Sequence, residues 1–221
     1  QLTFASNPEF LKEGDAINDF MQPDRIIIGS ENTKVRAIAK EAYASIISKK
    51  SPIIFTSVES AELIKYSANA FLATKISFIN EISRLSEYFN ADILEIQKGI
   101  GLDSRIGKKF LNAGIGFGGS CFPKDLDGLL YNYKRSKIAS SIPQSSKDAN
   151  NEQLNFFYNK LNRHWPYKEK NILVWGLAFK PGTDDIRESA SIKLIKRLAK
   201  KANNLFLYDP EAIHNSKIEL K

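Results

Sequence analysis

Cysteine and histidine are scarce in these 221 residues, and each scarcity closes a class of chemistry. A single cysteine permits no intrachain disulfide and is compatible with a reducing compartment, so a cytoplasmic protein is expected. Two histidines, His164 and His214, are too few and too far apart for a histidine metal cluster or an obvious catalytic triad, and no metal is expected. No run approaches the ~20 apolar residues of a membrane helix, so no membrane partner is expected. The net charge is +7, but the lysine pairs Lys49-Lys50, Lys108-Lys109 and Lys200-Lys201 lie among acidic residues without forming a basic stripe. That pattern argues against nucleic acid and leaves the attraction of anionic nucleotides as a use for the charge. The first residues, Gln1-Leu2-Thr3-Phe4-Ala5, contain neither an initiator methionine nor the basic and apolar regions of a signal peptide, and read as a cut end.

The lone cysteine stands in the most informative stretch, Gly114-Ile115-Gly116-Phe117-Gly118-Gly119-Ser120-Cys121-Phe122-Pro123-Lys124-Asp125. Glycines lack a β-carbon, so this backbone can approach a ligand closely and aim its N–H groups at phosphate or sugar oxygens. Ser120 as a cap, Pro123 early in the helix and the apolar Leu126, Leu129 and Leu130 predict a helix starting at Ser120. Cys121 then sits at a helix N-terminus beside Lys124, surroundings that favour a nucleophilic sulfur. Asp125 shares its face one turn later, which suggests covalent catalysis with a carboxylate handling protons or water.

Around this centre the chain divides into three stretches. Residues 1–57 read as strands Leu2–Ala5, Arg25–Gly29 and Ile53–Thr56, with a helix in Glu31–Ser48 between the last two. This β-α-β unit has too few strands to close an α/β domain and reads as the tail of a larger Rossmann-like one. Residues 58–165 open with a long run free of glycine and proline, capped by Ser57 and broken near Asn90-Ala91-Asp92, before a second helix at Ile93–Ile100. A polar stretch, Ser140–Gln153, precedes a further helix reaching Leu161. Residues 166–221 begin a second Rossmann-like unit: a buried strand Asn171–Trp175, a helix Ser191–Lys200 and a strand Asn204–Tyr208. The expected class is α/β, with a central long-helix domain between two incomplete Rossmann-like parts.

Three further segments carry polar groups suited to chemistry. Lys65 and Asn69 share one helical face among apolar neighbours, as a snorkelling lysine and a hydrogen-bonded asparagine or as a cation and amide that stabilise an oxyanion. Asn7-Pro8-Glu9-Phe10-Leu11-Lys12-Glu13-Gly14 follows a strand end, either as a capping loop or as a carrier of exposed carboxylates. Asp103–Leu111 supplies cations and an aromatic that bind a nucleotide or decorate a solvated turn.

The GFGGSCFPKD wording resembles the active-site segment of the UDP-glucose/GDP-mannose dehydrogenase family, and of its UDP-glucose branch in particular. The resemblance extends to Ala61–Phe71, Asn7–Leu11 and Gly176–Ser189, in family order across nearly the whole chain. It implies an NAD-dependent, four-electron oxidation of a primary alcohol, with UDP-glucose as substrate. Cys121 would form the thiohemiacetal and thioester, Lys65 and Asn69 would stabilise oxyanions, and Asp125 and Glu9 would manage protons and water. The sugar nucleotide would contact Phe10, Leu11, Arg105, Phe110, Asn112, Gly114, Gly116, Phe117, Gly118, Phe179 and Lys180. Arg105 would reach the nucleotide of a neighbouring subunit in a homodimer or higher oligomer. Asn112 stands where many animal relatives have lysine, which weakens that contact. NAD would contact Glu13, Lys124 and Arg187. The N-terminal dinucleotide fingerprint and the end of the last domain are missing, so the isolated chain is expected to be inactive. The alternatives are another nucleotide-sugar dehydrogenase, such as one for GDP-mannose, and a noncatalytic sugar-nucleotide-binding dimerisation module.

Overall fold

Three consecutive isoleucines, each at most 5% exposed, form the first buried strand, β1 (Ile26–Gly29). Such a run suits a parallel strand covered on both faces. β1 pairs in parallel with β2 (Ile53–Thr56), Ile26 opposite Ile53, and α2 (Thr33–Ala42) makes the crossover. Asn32 caps α2 by accepting from the Lys34 and Val35 amides, and Ile46 packs with Ile26 and Ile28. The expected strand over Leu2–Ala5 is absent from residues 3–5: Ser6 makes one antiparallel bridge to Gly29 and the chain then turns away into α1 (Ala16–Met21). Hydrophobic residues alone do not make a strand where only one backbone pairing is available.

The computed structural model describes residues 3–48, 51–164, 171–200 and 202–221. The chain forms two compact units, Gln1–Ala68 and Asn69–Lys221. The long glycine- and proline-free run is the helix α3 (Val58–Tyr88), whose first turn is closed by Ser57 Oγ accepting from the Ser60 amide. Asn90, in the left-handed region at φ 53°, ends that segment before α4 (Ile93–Gly101), which Asp92 caps.

In the second unit, α5 (Phe122–Arg135) and α6 (Ile142–His164) pack together. The polar stretch Ser140–Gln153, expected to lie outside the helix, is mostly its first half. Its inward side chains are hydroxyls and amides rather than hydrocarbons: Ser146 Oγ bonds Thr74 Oγ1, and Ser77 Oγ donates to the Ser146 carbonyl. A face satisfied by hydrogen bonds leaves no apolar period to read.

β3 (Asn171–Trp175) and β4 (Asn204–Tyr208) pair in parallel through α7 (Ala190–Leu198), and α8 (Ile213–Glu219) follows. Leu177, Ile192, Ile195 and Ala212 form one core cluster here, and Leu154, Leu194 and Leu198 another. β3 was expected to be buried, yet its burial alternates. Leu173 and Trp175 are 58% and 76% exposed, as are Phe206 and Tyr208 of β4 at 55% and 51%. Val174, Leu205 and Leu207 face the clusters, whereas no described element covers the opposite sheet face.

Candidate functional site

In the first unit, the Asn7–Gly14 segment is tied to β1 and to the start of α3. Asn7 Nδ2 donates to the Ile27 carbonyl, and Tyr43 Oη donates to Asn7 Oδ1. The half-buried Lys65 ammonium donates to the Glu9 carbonyl at 2.5 Å and lies 3.5 Å from Glu9 Oε1. The second Glu9 carboxylate oxygen accepts from the Leu11 amide at 2.7 Å. Phe10 is sandwiched by cations, with the Arg25 guanidinium 3.8 Å and Lys65 Nζ 5.3 Å from its ring centroid. Glu9, Phe10, Leu11 and Lys65 therefore form one cluster, with the half-buried Glu13 further along the segment.

In the second unit, Cys121 is the N-cap of α5. The cap expected at Ser120 lies one residue later, because Cys121 provides the carbonyl that accepts the Asp125 amide at 2.8 Å. Ser120 makes no capping bond; its hydroxyl is 3.7 Å from Cys121 Sγ. Asp125 is 2% exposed, and each carboxylate oxygen has a partner: Asn69 Nδ2 at 2.5 Å and Lys124 Nζ at 2.6 Å. A buried carboxylate needs such pairing. Asn69 and Asp125 thus meet directly. The Lys124 ammonium pairs with Asp125.

The loop before Cys121 is shaped by its neighbours. Phe122 carries both aromatic candidates, Phe110 at 6.0 Å and Phe117 at 5.9 Å between centroids. Gly119 has φ +82° and donates its N–H to the Arg187 carbonyl, while a β-carbon there would stand 2.6 Å from the Phe179 ring. Gly118 presses equally closely on the Glu188 backbone. Phe179 and Arg187 belong to the loop after β3, so that loop and the cysteine loop fix each other. Lys180 Nζ lies 5.5 Å from the Phe179 ring centroid.

Two candidates point elsewhere. Arg105 is 87% exposed in its side chain and forms a bidentate pair with Asp103, which raises the arginine above its ordinary value and lowers the aspartate. Asn112 is exposed and accepts from Gln97 Nε2.

A cavity of about 470 Å³ lies beside the cysteine loop, lined among others by Gly119, Ser120, Lys124, Asn150 and Arg187. The Arg187 guanidinium is braced by Asp185, and Lys147 and Lys193 add two more cations to the wall. Asp127 and Glu188 line it as well and pair with Lys147 and Lys193, so the wall is a set of paired charges whose Lys and Arg donors suit phosphate oxygens. Both basic residues expected to face NAD, Lys124 and Arg187, line this cavity.

Asp209 was not anticipated from sequence. One carboxylate oxygen accepts from Leu177 and Ala178, the other from Glu211 and Ala212. Burial pushes its carboxyl up, but these four amides outweigh burial and bring it to about 2. Asp209 thereby ties the end of β4 to the turn that leads to Phe179. Its position at a strand end was the available signal.

Two parallel β-α-β units, one on each side of the long-helix stretch in chain order, define an α/β protein of the Rossmann-like class. The chain belongs to the UDP-glucose/GDP-mannose dehydrogenase family. Residues 1–47 match the family's NAD binding domain, 59–152 its central domain and 173–221 its UDP binding domain. The chain is 46% identical to the UDP-glucose 6-dehydrogenase of Rickettsia bellii, over 96% of this chain and 49% of that protein. It is also 46% identical to the UDP-glucose 6-dehydrogenase TuaD of Bacillus subtilis, over 94% of this chain and 45% of that protein. The structure of a UDP-glucose dehydrogenase from Pyrobaculum islandicum superposes with a TM-score of 0.93 at 35% identity, covering 98% of this chain and 50% of that one. The chain thus spans about half the length of the relatives it matches. Among the described residues no helix is long and apolar enough to cross a membrane.

Proposed function

We propose that the protein containing this chain oxidises the C6 alcohol of UDP-glucose to the carboxylate, with Cys121 as nucleophile. The observation that carries the reading is the Cys121-Asp125-Asn69 arrangement: an amide held 2.5 Å from a buried carboxylate one turn along α5 from the sulfur. The alcohol loses a proton and a hydride to become the aldehyde. Cys121 adds to that carbonyl, and loss of a second hydride leaves a thioester. Water cleaves the thioester, releasing the carboxylate and restoring the thiol. NAD, when bound, supplies the acceptor for each hydride.

The chain's own residues have separable duties. Asn69 donates to the oxyanion that develops when sulfur adds, and Lys65 contributes positive charge to the same task. Asp125 and Glu9 hold and move protons and orient the hydrolytic water. The backbone of Gly114, Gly116, Phe117 and Gly118 would contact the sugar nucleotide, as would the side chains of Phe110, Asn112, Phe179, Lys180, Phe10 and Leu11. Lys124 and Arg187 would hold the phosphates of NAD, a reading supported by their shared place in the wall of the 470 Å³ cavity, and Glu13 would lie on the cofactor side. In this reading the chain contributes three domains, 1–57, 58–165 and 166–221, to a cytoplasmic enzyme.

A homo-oligomer is part of the proposal. Phe71, Phe78 and Leu85 recur every seven residues along α3 and are 66%, 51% and 53% exposed, an apolar stripe suited to a second copy. The outward Arg105 would then serve the neighbouring subunit.

The test is stoichiometry in the full-length protein: two NADH formed per UDP-glucose consumed, and loss of that turnover in Cys121→Ser. One NADH per sugar with undiminished activity in Cys121→Ser refutes the mechanism. Faster oxidation of GDP-mannose refutes the substrate.

A further inference from the structure

Three carboxamides hold the glycine loop by its backbone, and none of them belongs to the chemistry proposed above. Asn150 of α6 makes a two-way bond to Phe117: its Oδ1 accepts the Phe117 N–H at 2.7 Å and its Nδ2 donates to the Phe117 carbonyl at 3.1 Å. Three residues earlier in the loop, Gly114 is held the same way by two side chains. Asn80 Oδ1 of α3 accepts its N–H at 2.8 Å, and Gln153 Nε2 of α6 donates to its carbonyl at 2.8 Å. Asn80 is fully buried and Gln153 is 5% exposed.

A backbone segment that pairs both N–H and carbonyl is normally one strand of a sheet. Here the partner strand is replaced by amide side chains from two helices. The Gly114–Phe117 segment therefore gains a fixed path without ladder bonds to another strand. Gly116 shows how closely the clip fits: at φ +119°, a β-carbon there would stand 2.9 Å from Asn150 Oδ1.

We infer that Asn80, Asn150 and Gln153 are positioning residues that set the glycine loop in the conformation that receives the sugar nucleotide. The inference rests on the proposed function for the identity of the ligand, but the clip itself is a property of this chain. Its effect falls on binding rather than on chemistry, because Cys121 is held separately, by α5 and by the contacts of Gly118 and Gly119 with the loop after β3. A clip that preorganises a binding loop lowers the ordering cost of association.

The experiment compares the full-length protein with Asn150→Ala and with Asn150→Asp, which retains the acceptor for the Phe117 N–H and loses the donor. Hydrogen exchange is followed at Phe117, and KM for UDP-glucose is measured separately from kcat. Asn150→Ala is expected to speed exchange at Phe117 and to raise KM on the order of tenfold, with kcat changed by less than about threefold; Asn150→Asp is expected to fall between. Faster exchange with unchanged KM reduces the clip to a structural brace and overturns the inference. Unchanged exchange overturns it outright, as does a fall in kcat without a rise in KM. A wild-type protein that does not oxidise UDP-glucose refutes the functional reading instead; the same exchange comparison, with binding of UDP as the probe, then decides the clip independently.

Discussion

Replacing Asp209 by asparagine removes a single charge without changing side-chain shape, and the structure sets the size of the effect. Four backbone N–H groups converge on the two carboxylate oxygens at 2.7–3.2 Å. An asparagine offers one oxygen, so two of these donors must face an NH₂ group. A carboxyl held at about 2 rather than 3.8 stabilises the native state by ~2 kcal/mol near neutral pH. Adding the cost of misdirected buried donors brings the expected loss to about 3 kcal/mol. That is a large share of the ~5–15 kcal/mol that holds a typical domain together.

The pH dependence follows from the direction of the shift. A carboxyl whose folded value is depressed contributes its full stability above 3.8 and loses it as the pH falls through about 2. Urea unfolding of wild type and Asp209→Asn, followed by tryptophan fluorescence at about pH 7 and about pH 3, should therefore give a large difference that shrinks at the acid end. Other acid effects common to both proteins cancel in the difference. A loss below about 1 kcal/mol at neutral pH, or a difference independent of pH, refutes the account of Asp209 as the anion that binds the β3 turn.

Gly119→Ala forces a β-carbon into the Phe179 ring at a left-handed position. It should cost on the order of 1–3 kcal/mol, seen as a lower melting temperature, and an unchanged melting temperature contradicts the described loop contact. Phe78→Asp places a charge on an already exposed stripe. Light scattering should show a smaller assembly with the helical content retained, whereas an unchanged mass removes α3 from the interface.

Much of this architecture was legible from local chemistry. The unbroken run from Val58 reads as a long helix and the isoleucines of β1 as a strand, as found. Cys121 at a helix start followed from the glycines, Pro123 and the leucines behind them. Misreadings arose where local pattern and tertiary partner disagree. Thr3-Phe4-Ala5 looks like strand but pairs with no strand among the described residues, and Ser140–Gln153 looks like loop because its buried face is polar. The inward alternation of β3 depends on which sheet face the helices cover, a choice no strand sequence records.

The sequence by itself determined the long helix α3, the strands β1 to β4, the sulfur at the head of α5 and the carboxylate one turn beyond it, because helical period, apolar strand runs and capping are encoded by neighbours along the chain. Only the tertiary structure decided that Asn69 would meet Asp125, that Arg187 would come beside the cysteine loop, and that Asn80, Asn150 and Gln153 would close on Gly114 and Phe117. Those hydrogen bonds join residues 33 to 56 positions apart, and bonds across such distances depend on how helices pack rather than on any local pattern.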